Sequence, residues 1–125
     1  MDGLTIAEAA STTGWSARML RYIEDAGLVA PRRSASGYRL YGPEQLQRLR
    51  TLRELLHEFD IGLSEMSFAR RLRGEPKLRA AVDEWLSARP RRPVHVDAAD
   101  WLRWEQDKHE RLLAASTATE EEHSR

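Results

Sequence analysis

Residues 15–41 read WSARMLRYIEDAGLVAPRRSASGYRLY. Ser16 is a good helix N-cap. Met19, Leu20, Ile23 and Ala26 then recur at helical spacing and form an inward face. Arg18, Arg21 and Tyr22 fall on the other side. Gly27 supplies the left-handed stop that ends a helix over 16–26. Two short, partly alternating stretches follow, 28–32 and 38–41. Between them SASG, residues 34–37, is turn chemistry, with Gly37 free to take positive φ. The reading is a short helix with arginines outward, then a tight basic hairpin with Pro31 suited to an edge strand.

Upstream, Thr5 and Glu8 have capping-box spacing, and Ile6, Ala9 and Ala10 give a first short helix an apolar face. Thr13 and Gly14 break it, and Trp15 is a core residue in the connection. Two short helices joined through a glycine-containing turn make a helix-turn-helix. Downstream, Pro43 starts a third helix at its favoured first position. Leu46, Leu49, Leu52, Leu55, Leu56 and Phe59 form its stripe, and residues 60–62 stop it. A fourth helix with Met66, Ala69 and Leu72 inward ends at Gly74. Pro76 opens a fifth, with Leu78, Val82, Trp85 and Leu86 at helical spacing. Residues 90–93, PRRP, read as a stiff linker, and Asp97 as the cap of a last helix over 98–115.

The 125 residues carry no net charge, and no cysteine, which excludes disulfides and thiolate metal sites. Charge is unevenly spread. Between Arg18 and Arg53 eight arginines stand against Glu24, Asp25 and Glu44, a local surplus of five positive charges, offset by Glu120, Glu121 and Glu122. Such a patch on a neutral protein still makes a phosphate footprint. Arginine throughout favours bidentate contact with phosphate or guanine. No apolar run is long enough to span a membrane, and no signal-peptide pattern opens the chain. A cytoplasmic protein is expected, with no membrane partner. No nucleophile–base pair, paired carboxylates or phosphate-cradling glycine loop stands out, so the reading is that it is not an enzyme. His109 with Glu105 is an i, i+4 pair, read as a surface pair rather than a metal site. No cofactor and no metal are expected.

Residues 4–55 resemble the winged helix-turn-helix domain of MerR-type transcription regulators. The resemblance is carried by MLRY at 19–22 followed by Glu24, the Gly27-Leu28 stop, Pro31-Arg32 and SGYRLY at 36–41. GLSEM at 62–66 resembles the start of that family's second helical pair, so the likeness reaches Leu72. It implies a mainly α, winged helix-turn-helix fold with a small β-hairpin wing, followed by C-terminal helices. The implied activity is sequence-specific binding of promoter DNA, with distortion of that DNA read as energy. The implied partners are double-stranded DNA, a second copy in a homodimer, and RNA polymerase. A small-molecule effector is not identified by any residue.

By resemblance the DNA-binding positions are Ser16, Arg18, Arg21 and Tyr22 on the recognition helix, and Arg32, Arg33, Gly37, Tyr38 and Arg39 in the wing. Arg18 and Arg21 are assigned to base or phosphate contacts, and Arg39 to the backbone. Tyr41 is read as packing. Ile23 stands where many relatives carry a second aromatic. After Gly74 there is no sustained heptad repeat of the kind that forms the family's dimer coil. The organisation read is a DNA-binding domain at 1–74, a helical extension at 75–115 and a disordered tail at 116–125. Trp85, Trp101, Trp104 and Leu112 are assigned to an oligomer or partner surface, since tryptophan is common at hot spots. The alternative is an architectural, excisionase-like protein that binds direct repeats head-to-tail.

Overall fold

The computed structural model describes residues 3–62 and 65–123, with side chains at 3–62 and 68–115. Six helices and one hairpin follow in the order α1 Ile6–Thr13, α2 Ala17–Asp25, β1 Arg32–Arg33, β2 Arg39–Leu40, α3 Pro43–Glu58, α4 Glu65–Gly74, α5 Pro76–Ser87 and α6 Trp101–His123. Leu63 and Ser64, expected to open the second helical pair, and the side chain of Met66 lie outside the described residues.

Local chemistry sets the first elements. The capping box forms: the Glu8 amide donates to Thr5 Oγ1 (3.2 Å) and the Thr5 amide to Glu8 Oε1 (3.0 Å). α1 ends at Gly14, φ 80°. A Cβ there would sit 2.5 Å from an Arg53 guanidinium nitrogen and 2.8 Å from a Leu113 methyl, so only glycine fits on space as well as conformation. Trp15 is buried in the turn and its indole N–H donates to the Leu49 carbonyl (3.3 Å). α2 ends in a Schellman motif: the Gly27 amide donates to Glu24 O and the Leu28 amide to Ile23 O.

The hairpin is shorter than its sequence suggests. β1 pairs antiparallel with β2 in the register Arg32↔Leu40 and Arg33↔Arg39. Leu28 and Val29 leave the expected strand and enter the core, because apolar burial there outweighs pairing in a two-stranded ribbon. The wing's root is tied down separately, since Leu4 and Tyr41 exchange two backbone hydrogen bonds of 2.8 Å.

The core joins both halves of the chain. Met19, Leu20, Ile23, Leu46, Leu49, Leu52 and Leu56 meet Phe68, Leu78 and Val82. Phe68, absent from the expected inward set of α4, is fully buried, whereas Ala69 and Leu72 are half-buried. The expected inward Ala26 is exposed, since α2 ends there. α3 stops at Asp60, which takes φ 57°, with the Ile61 amide donating to Leu56 O.

α6 departs most from expectation. It begins at Trp101, because residues 97–100 form a preceding turn in which the Asp100 amide donates to Asp97 O. It ends at His123 rather than at 115. It packs on α1 and α3. The polar gap in its apolar stripe is itself the contact. Glu105 is fully buried and His109 nearly so, which corrects the surface-pair reading. Arg50 Nε and Nη2 each donate to a Glu105 oxygen at 3.2 Å, in a bidentate pair. Glu105 Oε1 also accepts from the Trp101 indole (3.3 Å) and from Gln47 (3.4 Å), and His109 Nε2 hydrogen-bonds the Leu46 carbonyl (2.9 Å).

Removing one partner of a buried ion pair leaves an uncompensated charge, whereas replacing both with apolar groups is often neutral. Glu105→Ala is therefore expected to cost about 3–5 kcal/mol in urea denaturation. The double change Arg50→Met with Glu105→Leu should recover most of that; a double variant as unstable as the single one would contradict this account.

Burial holds the His109 imidazole below its ordinary pKa, opposed by the Leu46 carbonyl and Glu105 and reinforced by Arg50 and Arg53. The unfolded chain thus takes up this proton at higher pH than the folded one. The contribution is complete above the ordinary value of 6.5 and is lost as pH falls through the depressed folded value. Thermal melts between pH 7.5 and 5 should show a steeper fall in Tm for the parent than for His109→Gln, whose amide keeps the donor to Leu46 without titrating.

Candidate nucleic-acid interface

α2 presents two faces. Met19, Leu20 and Ile23 are locked in the core, and Ser16, Arg18 and Arg21 are exposed on the opposite side. The Ser16 hydroxyl accepts from the Met19 amide (3.0 Å) as the N-cap, and its O–H can still donate. Tyr22 is half-buried, its ring edge-on to Phe68 with centroids 6.3 Å apart. α4 therefore sets the Tyr22 rotamer, a contact with no signal in the local sequence of α2.

The hairpin is fastened to α2 by one carboxylate. Glu24 Oε1 accepts from Arg39 Nε (2.8 Å) and Oε2 from Arg33 Nη2 (3.0 Å). Arg33 also donates to the Gly37 carbonyl across the turn (3.3 Å). The turn closes through Ser34: its amide donates to Tyr38 O, and its hydroxyl accepts from the Tyr38 amide. Gly37 takes φ 85° with open space around it. At its side Tyr38 is 71% exposed, the most outward aromatic of the described residues. Arg39 is only about a quarter exposed, and its pKa is raised chiefly by the hydrogen bond to Glu24.

Tyr41 is buried, as the packing reading expects, and burial pushes its phenol pKa up. Its hydroxyl is buried with no hydrogen-bond partner.

The structure divides the eight arginines. Arg48 donates to Ala88 O (2.8 Å) and lies over the Trp85 ring (4.5 Å); Arg50 holds Glu105; Arg53 donates to Thr13 O (2.8 Å). These three brace the fold. Arg18, Arg21, Arg32 and Arg33 are exposed, so the outward charge is smaller than the linear count and is concentrated on α2 and the wing. Burial lowers the pKa of Arg48.

The residues assigned to a partner surface mostly find partners inside the chain. The Trp85 indole donates to Thr51 Oγ1 (2.8 Å), and Trp101 is buried. Trp104 is half-buried, edge-on to His95 at 6.0 Å with Lys108 4.9 Å from its ring. Leu112 stands 41% exposed.

Residues 4–67, just over half of the chain, match the family described as MerR HTH family regulatory protein. Among curated relatives, the HTH-type transcriptional regulator HmrR of Sinorhizobium medicae (strain WSM419) is 40% identical over 62 residues, which is 49% of this chain and 40% of that protein. Heavy metal-dependent transcription regulator 2 of Rhizobium meliloti (strain 1021) gives the same identity and coverage. A probable heavy metal-dependent transcriptional regulator of Haemophilus influenzae is 42% identical over 62 residues, 49% of this chain and 46% of that one. The match thus spans less than half the length of each relative.

Glu24 carries the wing's orientation. Both pairs lie at the surface, with Arg33 about half and Arg39 about a quarter exposed, and surface pairs contribute little to stability. Glu24→Gln is expected to change unfolding free energy by less than about 1 kcal/mol. The same substitution should lower backbone NMR order parameters at residues 34–38, and unchanged order there would remove Glu24 from this role.

Proposed function

The chain belongs to the MerR family of helix-turn-helix regulatory proteins, and on that footing we propose that it is a sequence-specific, DNA-binding transcription regulator. α2 enters the major groove, with Arg18 and Arg21 on base edges or phosphates and Ser16 on a phosphate. Gly37 and Tyr38 bring the wing against the adjacent backbone, with Arg32 and Arg33 beside them. Arg39 acts mainly through Glu24, holding the wing at a set angle to α2. The observation that carries this reading is the pairing of an exposed arginine face on a core-locked helix with a wing clamped to that helix. Arginine on rigid elements reads a groove with little ordering cost.

In this proposal two copies bind a two-fold-symmetric promoter site and distort it, so that RNA polymerase can use it, in the cytoplasm. Among the described residues no helix is long and apolar enough to cross a membrane. The matched family and the transcription regulators among the relatives favour this reading over an excisionase-like architectural role and over catalysis. The heavy-metal dependence in the relatives' names is not carried over. The chain has no cysteine thiolate to hold a soft metal, and among the described residues no three histidines and carboxylates converge.

The test is selection of binding sites from a random duplex pool, followed by footprinting. The expected result is one symmetric protected site, and phased direct repeats would favour the architectural role. Arg18→Ala with Arg21→Ala should weaken binding to the selected site at least about tenfold, since each good base contact contributes about 1–3 kcal/mol of discrimination. Undiminished binding by that double variant would overturn the assignment of α2.

A further inference from the structure

Residues 85–96 read WLSARPRRPVHV, with three arginines and no carboxylate. They lead out of α5 toward α6 without regular structure past Ser87. Their backbone is nevertheless fixed to α3 at two points. Arg48 donates to the Ala88 carbonyl (2.8 Å). Gln47 accepts from the Arg91 amide (2.8 Å) and donates to the Arg91 carbonyl (2.6 Å). Pro90 and Pro93 restrict the backbone further. The side chains of Arg89, Arg91 and Arg92 are exposed, and no ion pair among the described residues involves them.

Like charges held side by side repel. A flexible linker would relieve this by spreading, but here Gln47 and Arg48 prevent it. Through Arg48 the start of the strip is joined to the segment ahead of the wing. Arg48 reaches the Leu28 carbonyl as well (3.5 Å), and Leu28 leads into β1. Arg32 of β1 shares a groove of about 690 Å³ with residues 98–103 at the start of α6. Glu44 and Asp100 line that groove together with Arg32 and Arg103, so the charge surplus lies on the loop and not in the groove.

We propose that Arg89, Arg91 and Arg92 form a second phosphate-binding strip, which takes the DNA backbone flanking the segment held by α2 and the wing. This rests on the DNA-binding reading above. Four residues of extended chain reach about 10 Å, the rise of about three phosphates along one strand. Guanidinium groups suit phosphate geometry, and a fixed loop loses little freedom on binding. The extension beyond the matched family region thereby lengthens the DNA footprint without adding base readout.

The test uses a fluorescein-labelled duplex of about 40 base pairs with a pool-selected site at its centre, and the same duplex trimmed to the base pairs that the pool selection specifies. Affinity is measured against salt for the parent chain, the triple variant Arg89→Ala, Arg91→Ala, Arg92→Ala, and the corresponding triple lysine variant. On the long duplex the alanine variant should lose about 0.9 in the slope of log affinity against log salt per contact, or about 2.7 for all three. The lysine variant should keep the parent slope, and on the trimmed duplex all three proteins should agree. A parent slope retained by the alanine variant, with site selection intact, would overturn the strip alone. Failure of the parent chain to bind any selected duplex would overturn the DNA reading and the strip with it.

Discussion

The bidentate contact between Arg50 and Glu105 is the constraint around which the molecule is organised. Arg50 lies on α3, the central helix, and Glu105 on α6, the last one. The pair is almost wholly excluded from water, so each partner depends on the other. Around it the Trp101 indole and Gln47 donate to Glu105 Oε1, and one turn on His109 bonds the Leu46 carbonyl. A helix placed by directed hydrogen bonds has one register, whereas a purely apolar stripe tolerates sliding. This register brings Leu113 against Gly14, in the turn ahead of α2. The C-terminal helix thus braces the helix-turn-helix from behind.

A second carboxylate does on the surface what Glu105 does inside. Glu24 spends its charge on Arg33 and Arg39, lowering the local positive potential to fix the wing. The two uses of arginine are therefore distinct. Some side chains face outward, and others act as rivets with carbonyl or carboxylate partners. Arg48 and Arg53 belong to the second group although among the described residues neither pairs with a carboxylate, since each caps a main-chain oxygen of a distant element. Gln47 and Arg48 extend the riveting to residues 88–91, so a proline-rich connection becomes an ordered part of the surface.

The N-terminal half was largely legible because its signals are local. Capping box, N-cap, glycine stop and turn glycine each act within a few residues, and each forms as read. Phe68 was missed because the α4 stripe is short and its phase is decided by Tyr22 across the interface. The α6 stripe misled because the periodicity argument counts Glu105 and His109 as outward, and only their partners on α3 make burial affordable. The tryptophans of the extension looked like an outward surface for a similar reason. Trp85 and Trp101 each meet an acceptor inside the chain that linear reading cannot supply.

By itself the sequence determined a mainly α chain with a helix-turn-helix, a basic hairpin, an arginine face on the second helix and no thiolate chemistry. These follow from composition and short-range backbone preferences, which need no distant partner. Only the tertiary structure decided which arginines face outward, what aims the wing and where the last helix lies. Those outcomes depend on residues 15 to 55 positions apart meeting, at the surface for the wing and in a low-dielectric core for the last helix, where a hydrogen bond or ion pair is strong if matched and costly if not.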